Sequence, residues 1–274
     1  DMANPSSRKA GPVSLGAAVR HEEITAALAS TGRVSIAELS KKLDVTSVTI
    51  REDLKYLEEH GLLVRTRGGA LAKPVQRVES ALEQTSMTNR AEKEAIARYG
   101  ASLIENGQTV FIDVGSTTTA LAKALSPDLS GVVVVTNGLN IALSLEAAPG
   151  ISVIVTGGTL RSLQHSLVAP LGTLLLSKLQ ADVAFLGCNG VDRERGFTNA
   201  NIAEAEIKQA MLESADYGIF LADHEKIGSV SSAFVADIDE ADLLVTDSGA
   251  DPEILESFHK GGLETKVVEA TTGG

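Results

Sequence analysis

The sequence predicts two domains of different class, a small α+β domain followed by a larger α/β domain with a mostly parallel sheet. Near the N-terminus, three helical patterns precede a short basic hairpin pattern, whereas from residue 109 apolar, β-branched runs alternate with helical patterns. A length of 274 residues fits two domains of ordinary size. The predicted divisions are a disordered, tag-like N-terminus over 1–17, the first domain over 18–73, a linker over 74–88 and the second domain over 89–270.

The charge distribution supports this division. The whole chain has a formal net charge of −12, but residues 1–77 carry 12 Lys and Arg against 9 Asp and Glu, and residues 78–274 carry 12 against 27. A basic segment joined to an acidic body is typical of proteins that contact nucleic acid through one domain. The basic excess is small, so charge alone does not establish the partner.

The composition argues against several other classes of protein. The single cysteine, Cys188, excludes a disulfide framework within the chain, and no apolar run reaches the ~18 residues of a membrane span. No dinucleotide-binding or Walker A glycine motif occurs, and neither does a His-Glu-x-x-His motif or a cysteine pair. We therefore expect a cytoplasmic protein with no membrane partner, no cofactor and no metal.

Two helical patterns open the first domain. The first covers residues 20–29 and is broken by the Thr-Gly-Arg sequence that follows it. The second covers residues 36–43, and Ser35 before it can cap its N-terminus while Glu38 completes a capping box. Both patterns therefore predict short helices with defined ends.

The third helical pattern begins after Thr46 or Ser47, either of which can cap it, and ends at Gly61. Its apolar residues recur at helical spacing and predict a buried stripe formed by Ile50, Leu54 and Leu57. The opposite face is polar and includes Arg51 and Lys55. Two short helices joined by a tight turn form a helix-turn-helix, whose second helix enters the major groove of DNA.

Residues 62–71 follow as a strand with alternating basic residues, a Gly-Gly turn and a return strand. This pattern predicts a wing that places Arg65 and Arg67 beside the DNA backbone. A three-helix domain with a solvated charged face would explain one amphipathic helix, but not the whole order of elements. We therefore predict an α+β winged helix-turn-helix that binds double-stranded operator DNA. The predicted DNA-binding residues are Ser47, Thr49, Arg51, Lys55, Arg65 and Arg67.

The same residues resemble the helix-turn-helix of the DeoR family of bacterial repressors. The resemblance rests on residues 45–54, on Leu57-Glu58 and on residues 61–70. Two positions depart from the family pattern: Glu52 stands where a second Arg is frequent, and Arg67 stands where His is frequent. A carboxylate at Glu52 can accept a hydrogen bond from cytosine or form a salt bridge within the helix.

The second domain is predicted from short apolar runs that each end in glycine or polar residues. These runs cover residues 109–112, 132–135, 151–155, 183–186, 218–221 and 243–245. Helical patterns lie between most of them, over 120–125, 139–145, 171–179 and 203–215. Continuous apolar strands that alternate with helices indicate a mostly parallel sheet with helices on both faces.

A ligand site is expected at the carboxyl ends of these strands, where ligands bind in open α/β sheets. The best candidate for an anion site is the run from Gly115 to Thr119, which opens a helix and offers free amides and hydroxyls. Asp113 precedes this run, and Lys226 can supply a cation from a later loop. Turns between strands and helices need Gly and Thr in any case, so the run alone is a weak signal.

Residues 89–269 resemble the sensor domain that follows the DeoR-type helix-turn-helix. The resemblance rests on 113–118, 136–137, Gly157-Gly158 with Arg161, Gly187 with Gly190, 204–208 and 223–228. It implies a fold related to ribose-5-phosphate isomerase and a phosphorylated sugar or polyol as effector. Asp113 would hold sugar hydroxyls and the phosphate would be cradled by Gly115, Ser116, Thr117 and Thr118. The pocket would be lined by Thr136, Asn137, Gly157, Gly158, Arg161, Glu204 and Lys226.

Together these patterns predict a transcriptional regulator, a repressor rather than an enzyme, whose operator affinity is controlled by a phosphorylated metabolite. Because one winged module covers a single half-site, we also expect a homo-oligomer, either a dimer or a tetramer. Two alternatives stay open at this point. One is a sugar-phosphate isomerase-like enzyme with an accessory DNA module. The other is a constitutive DNA binder with a degenerate sensor, because Glu225 stands where a small Ser is frequent in the family.

Overall fold

The structure is a computed structural model that describes residues 16–59, 62–72 and 81–270. The chain divides into two compact units, Asp1–Val75 and Gln76–Gly274, called here the smaller and the larger unit. Three sequence predictions fall outside the described ranges: most of the N-terminal segment 1–17, the helix end at Gly61, and residues 74–80 of the linker.

The smaller unit is an α+β domain with three helices and a three-stranded antiparallel sheet in its described residues. The strand order is β1–β3–β2, and β1 is an addition to the predicted two-stranded wing. The three residues of β1 are too few to show an alternating pattern in the sequence. The elements in chain order are α1 (Ala17–Thr31), β1 (Arg33–Ser35), α2 (Ile36–Leu43), α3 (Ser47–Glu59), β2 (Leu63–Arg65) and β3 (Gly69–Ala72).

The helix ends follow from local hydrogen bonds. The Ser35 hydroxyl accepts a 3.1 Å hydrogen bond from the Glu38 amide, which confirms the predicted cap of α2. Thr46, rather than Ser47, caps α3, because its hydroxyl accepts from the Thr49 amide at 3.2 Å. The predicted stripe of α3 is buried in the core of the unit, and Val34 of β1 packs against this core. The core contains Ile24, Leu28, Leu39, Leu43, Ile50, Leu54, Leu57, Leu63 and Ala70.

Gly69 is the position at which the wing sheet depends most directly on glycine. It lies opposite Ser35, and a Cβ atom there would lie 1.9 Å from the Val34 carbonyl oxygen. Since this neighbour is backbone within the same sheet, it cannot move aside without loss of strand pairing. We expect Gly69→Ala to lower the free energy of unfolding of the smaller unit by at least about 1 kcal/mol. Thermal unfolding of the full chain, followed by circular dichroism, measures the change.

The neighbouring glycine provides a matched control for this variant. Gly68 is exposed in the turn, and a Cβ there would meet nothing within 4 Å. Gly68→Ala should therefore leave the unfolding temperature close to that of the parent chain. Equal effects of the two substitutions would contradict the close approach of β1 to Gly69.

The larger unit contains a seven-stranded sheet in which all neighbouring strands run parallel. Its strand order is β15–β14–β12–β9–β4–β5–β6, and a three-stranded antiparallel sheet (β10–β11–β13) and a hairpin (β7–β8) are added to it. The strands are β4 (Thr109–Ile112), β5 (Val132–Thr136), β6 (Ile151–Val155), β7 (Thr159–Arg161), β8 (Ser166–Val168), β9 (Val183–Gly187), β10 (Gly190–Asp192), β11 (Gly196–Asn199), β12 (Gly218–Leu221), β13 (Ala233–Ala236), β14 (Leu243–Asp247) and β15 (Glu264–Val268).

Helices cover both faces of this sheet, as the sequence predicts. The helices are α4 (Leu82–Met87), α5 (Arg90–Ala101), α6 (Ser116–Lys123), α7 (Leu139–Leu145), α8 (Leu171–Leu176), α9 (Ile202–Glu213) and α10 (Pro252–Lys260). One core contains buried side chains of α5, α6 and α7, among them Ile96, Leu121 and Ile141. The other contains buried side chains of α8, α9, α10 and the small sheet, among them Leu176, Ile207, Phe258 and Phe197.

Several elements differ from the sequence prediction. The helix expected over 120–125 begins earlier, at Ser116, and the one expected over 171–179 ends at Leu176. The segment predicted as a linker contains α4, whose Leu82 is buried in the larger unit. A six-residue helix with one buried side chain leaves little periodicity in the sequence. No helix in the three described ranges combines the length and apolar character needed to cross a lipid bilayer.

Candidate functional site

A cleft of about 670 Å³ lies in the larger unit, at the carboxyl ends of β4, β9 and β12. This volume is within the usual range for small-molecule sites, and the position is the one at which parallel α/β sheets bind ligands. The remaining walls are the N-terminus of α6, the N-terminal half of α9, the turn after β12 and α4. The cleft is therefore the candidate site of the larger unit.

The N-terminus of α6 forms the part of the cleft that the sequence analysis selects as a candidate anion site. Gly115, Ser116, Thr117 and Thr118 all line it, as predicted. The first intrahelical hydrogen bond runs from the Thr119 amide to the Gly115 carbonyl at 2.9 Å, and the first amides of a helix have no partner within it. Amides at the positive end of the helix dipole are suited to hold a phosphate.

Three lysines, Lys93, Lys208 and Lys226, bring positive charge to the same cleft. Lys226 lines it, as predicted, and its Nζ lies 3.9 Å from Oδ2 of the buried Asp223. Lys208 also lines the cleft, from the face of α9 that carries Glu204 one turn earlier. Glu225 adds a carboxylate to the wall, so the site has mixed rather than purely positive charge. A mixed site of this kind suits a ligand that has both an anionic group and hydroxyl groups.

Asp113 lies behind the wall rather than in it. Its side chain is fully buried, forms an ion pair with Lys208 and accepts a 3.3 Å hydrogen bond from the Gly187 amide. Burial raises the pKa of the Asp113 carboxyl, and the charge of Lys208 opposes that rise. Oδ1 has no hydrogen-bond partner among the described residues. Asp113 therefore acts on the cleft through Lys208 and Gly187, which both line it.

Glu204 lines the cleft and is held from behind by three side chains. Arg161 forms an ion pair with it, Ser166 donates a 2.6 Å hydrogen bond, and the Asn199 amide donates at 3.4 Å. Arg161 was predicted to line the pocket, but its guanidinium binds Glu204 and it is not among the wall residues. Arg161 therefore positions Glu204 instead of lining the cleft.

Four further predicted residues do not reach the wall. The side-chain oxygen Oδ1 of Asn137 accepts from the Val114 amide at 2.9 Å, and the Thr136 hydroxyl accepts from the Gly138 amide at 3.0 Å, so both shape the loops around the cleft. Gly157 and Gly158 adopt positive φ values of 72° and 120° in the turn before β7. This corrects the prediction for the pocket-lining set: Thr136, Asn137, Gly157 and Gly158 support the site from outside its wall.

The structure also adds residues that the sequence analysis did not select. Most of them come from α4, α5 and the loops after β9 and β12, and the added polar wall residues include Gln84, Thr85, Thr88, Lys93, Asn189, Asn199, Lys208 and Asp223. Only Lys208 left a signal in the sequence, since it follows Glu204 at the spacing of one helical turn. Cys188 lines the cleft as well, and burial raises the pKa of its thiol to about 12, which favours the neutral thiol over the nucleophilic thiolate.

The smaller unit presents its candidate DNA-binding residues on exposed surface. Ser47, Arg51 and Lys55 are exposed on α3, Thr49 is half-buried, and Arg65 and Arg67 are exposed at the wing. Arg65 also lies near Glu58, with its backbone amide donating to that carboxylate at 2.9 Å. Val48, which the predicted set omits, is 59% exposed in the first turn of α3.

A buried ion pair fixes α3 against α1. Asp53 accepts two hydrogen bonds from the Arg20 guanidinium, at 2.7 and 2.9 Å, and is 3.0 Å from Nε2 of His21. Burial opposes the charge on Asp53, but the hydrogen bonds from Arg20 and His21 outweigh it and lower the pKa of the carboxyl. Because a bidentate pair restricts orientation as well as distance, it sets the angle at which α3 presents its exposed face.

Comparisons with known proteins match a family model to each of the two units. Residues 20–74 match the family model of the DeoR-like helix-turn-helix domain, and residues 88–248 match that of the DeoR C terminal sensor domain. The chain is 36% identical over 250 residues to the HTH-type transcriptional regulator GolR of Listeria innocua, which covers 91% of this chain and 98% of that protein. It is 32% identical over 237 residues to the glycerol-3-phosphate regulon repressor of Escherichia coli, covering 86% and 93%. Ribose 5-phosphate isomerase A from Methanocaldococcus jannaschii matches with a TM-score of 0.38 and 15% identity, covering 51% and 55%.

Proposed function

Because the chain belongs to the DeoR family of transcriptional regulators, we propose that it represses transcription and leaves its operator when a phosphorylated sugar or polyol binds in the cleft. The observation that carries the effector class is the combination of the α6 N-terminus with Lys226 and Lys208 in one cleft. Helix amides and ammonium groups complement a phosphate.

The rest of the cleft suits a hydroxylated carbon chain. Glu204, Asn189 and Asn199 line it and can exchange hydrogen bonds with hydroxyl groups. Most of the wall residues have polar side chains, so an apolar ligand would leave polar groups of the cleft unpaired, at a cost of about 1–3 kcal/mol each. This supports a small phosphorylated polyhydroxy compound over a lipid or an aromatic metabolite.

On the DNA side, we propose that α3 enters the major groove and that the wing lies along the backbone. Ser47, Thr49, Arg51 and Lys55 then face base edges and nearby phosphates, while Arg65 and Arg67 contact phosphates. A single module reads one half-site, so this proposal includes a symmetric homo-oligomer on a repeated operator sequence.

A thermal-shift screen of the full chain tests the effector proposal. We expect a rise in unfolding temperature with one or more sugar or polyol phosphates and none with the same compounds lacking phosphate. A ligand at a hundred times its Kd stabilises the folded state by about 2.7 kcal/mol. The stabilising compound should then release the chain from operator DNA that has been selected in vitro.

Two variants sharpen this test. Lys226→Gln removes a wall cation and should reduce the stabilisation, whereas Lys260→Gln removes an exposed lysine of α10 and should not. Stabilisation by unphosphorylated compounds alone would contradict the proposed effector class. Conversion of ribose 5-phosphate by the purified chain would instead favour the isomerase-like alternative.

A further inference from the structure

The helix α4 forms one wall of the cleft and is the first described element after the smaller unit. Gln84, Thr85 and Thr88 line the cleft from α4 and from the residue that ends it. The smaller unit ends at Val75, so only a short segment separates it from α4 along the chain. Any ligand in the cleft therefore lies beside the first described helix that follows the smaller unit along the chain.

Lys93 of α5 holds the C-terminal end of α4. Its ammonium donates to the Thr85 carbonyl at 2.6 Å and to the Thr88 carbonyl at 2.8 Å. The same Nζ lies 3.7 Å from Oδ2 of Asp223, and its side chain is only 4% exposed. Burial lowers the pKa of Lys93 and the charge of Asp223 opposes that decrease. The three donors of the ammonium are thus directed at two neutral carbonyls and one carboxylate.

Two further polar contacts of α4 lie at its N-terminal end. The Leu82 amide donates to the Leu163 carbonyl at 3.1 Å, and Nε2 of His165 is 2.7 Å from the Glu83 carboxylate. Both partners belong to the segment between β7 and β8. Among these contacts, the bonds from Lys93 are the ones that tie the C-terminal end of α4 to the charged residues of the cleft.

Lys93 also lines the cleft, together with Lys226, and both lysines share Asp223 as their carboxylate partner. A phosphate in the cleft would offer Lys93 a charged acceptor in place of neutral carbonyls. Binding to a phosphate adds the attraction between opposite charges, which a neutral carbonyl does not offer to the ammonium. A ligand can shift a conformational equilibrium only by binding one state better than the other. When Lys93 is released from α4, the N–H groups that bind the Thr85 and Thr88 carbonyls become free to bind the anion.

We infer that Lys93 is both a binding residue for the anionic group of the effector and the clamp of α4, and that the two roles exclude each other. An anion in the cleft draws the ammonium from the Thr85 and Thr88 carbonyls and loosens α4. The loosened helix alters the segment that precedes it and lowers operator affinity. By reciprocity, operator DNA that favours the clamped state weakens anion binding by the same factor. This inference rests on the proposed function of the cleft.

Hydrogen exchange of the full chain, without any ligand, gives the first test. Lys93→Met removes the ammonium and keeps an unbranched apolar stem, so amides of residues 84–90 should exchange at least about tenfold faster than in the parent chain. The affinity of the Lys93→Met variant for selected operator DNA should also be lower than that of the parent chain. Lys260→Met changes an exposed lysine of α10 outside the cleft, leaves the clamp in place, and should exchange and bind DNA like the parent. Unchanged exchange in Lys93→Met would overturn the clamp.

Inorganic phosphate provides the second test and covers the case in which Lys93→Met does not fold. In the parent chain, millimolar phosphate should speed exchange at residues 84–90 while exchange in β4 and β9 stays slow. If phosphate stabilises the chain but hydrogen exchange at residues 84–90 is unchanged or slower, the inference that anion binding releases the clamp is wrong. The effector proposal then still stands. If neither phosphate nor any sugar phosphate stabilises the chain, the effector proposal fails, and the ligand-free comparison still decides the clamp.

Discussion

Replacing Lys208 by methionine should lower the free energy of unfolding of the larger unit by about 3–5 kcal/mol, the usual cost of removing one partner from a buried ion pair. Lys208 is 3% exposed and Asp113 is not exposed at all, so water cannot replace the lost ammonium. Methionine fills a similar volume, which separates the loss of charge from the creation of a cavity. Urea unfolding of the full chain measures the change.

The loss should depend on pH in a defined direction. Burial already raises the pKa of the Asp113 carboxyl, and removing Lys208 takes away the charge that opposes this rise. When the pKa of a carboxyl is higher in the folded than in the unfolded state, the protonated group stabilises the fold. This stabilisation is fully present below the unfolded pKa, near 4, and is lost as pH rises through the folded pKa. Lys208→Met should therefore be closer to the parent at pH 5 than at pH 8.

Two further variants serve as controls for this prediction. Lys178→Met changes an exposed lysine and should leave stability within about 0.5 kcal/mol of the parent. Asp113→Leu combined with Lys208→Met removes both charges, and should recover most of the loss and its pH dependence. A small, pH-independent loss in the single variant would show that Asp113 and Lys208 do not form a buried pair.

The sequence predicts the parts of this fold that depend on repeated burial. The stripe Ile50, Leu54 and Leu57 follows helical spacing because one face of α3 is buried, and the parallel strands read as apolar runs because both faces of their sheet are covered. The β15 strand was missed because it lies at the sheet edge and its Glu264-Thr-Lys-Val-Val sequence is largely exposed.

The site was predicted less completely, because a Glu and a Lys one helical turn apart can be either buried or exposed. Glu204 and Lys208 are one helical turn apart, and so are Glu256 and Lys260 of α10. Lys208 is buried against Asp113, which is 95 residues distant in sequence, whereas Lys260 is 71% exposed. Only the fold distinguishes the two lysines. The same reasoning applies to α4, whose polar residues line the cleft although their composition is that of a linker.

On the DNA side, Arg51→Ala should weaken binding to selected operator DNA by about 5- to 150-fold, the equivalent of about 1–3 kcal/mol for one lost bidentate base contact. The Arg51 side chain is exposed on α3, with Nη1 3.5 Å from the Ser47 hydroxyl, so it can turn towards a base edge at little cost. Base preference should relax at one position of each half-site, while binding to random DNA changes little. Fluorescence anisotropy titrations on both DNAs measure the two affinities.

Arg67→Ala is the matched comparison, because Arg67 is exposed on the wing rather than on α3. A residue that contacts only phosphate should lower affinity for operator and random DNA by the same factor, and should reduce the slope of log K against log salt by about 1. Equal loss on both DNAs for Arg51→Ala would refute its role in base reading. It would leave the other residues on the same face of α3 as candidates, namely Ser47, Val48, Thr49, Glu52 and Lys55. Since Asp53 anchors the opposite face of the helix to Arg20, either outcome concerns side-chain contacts and not the position of α3.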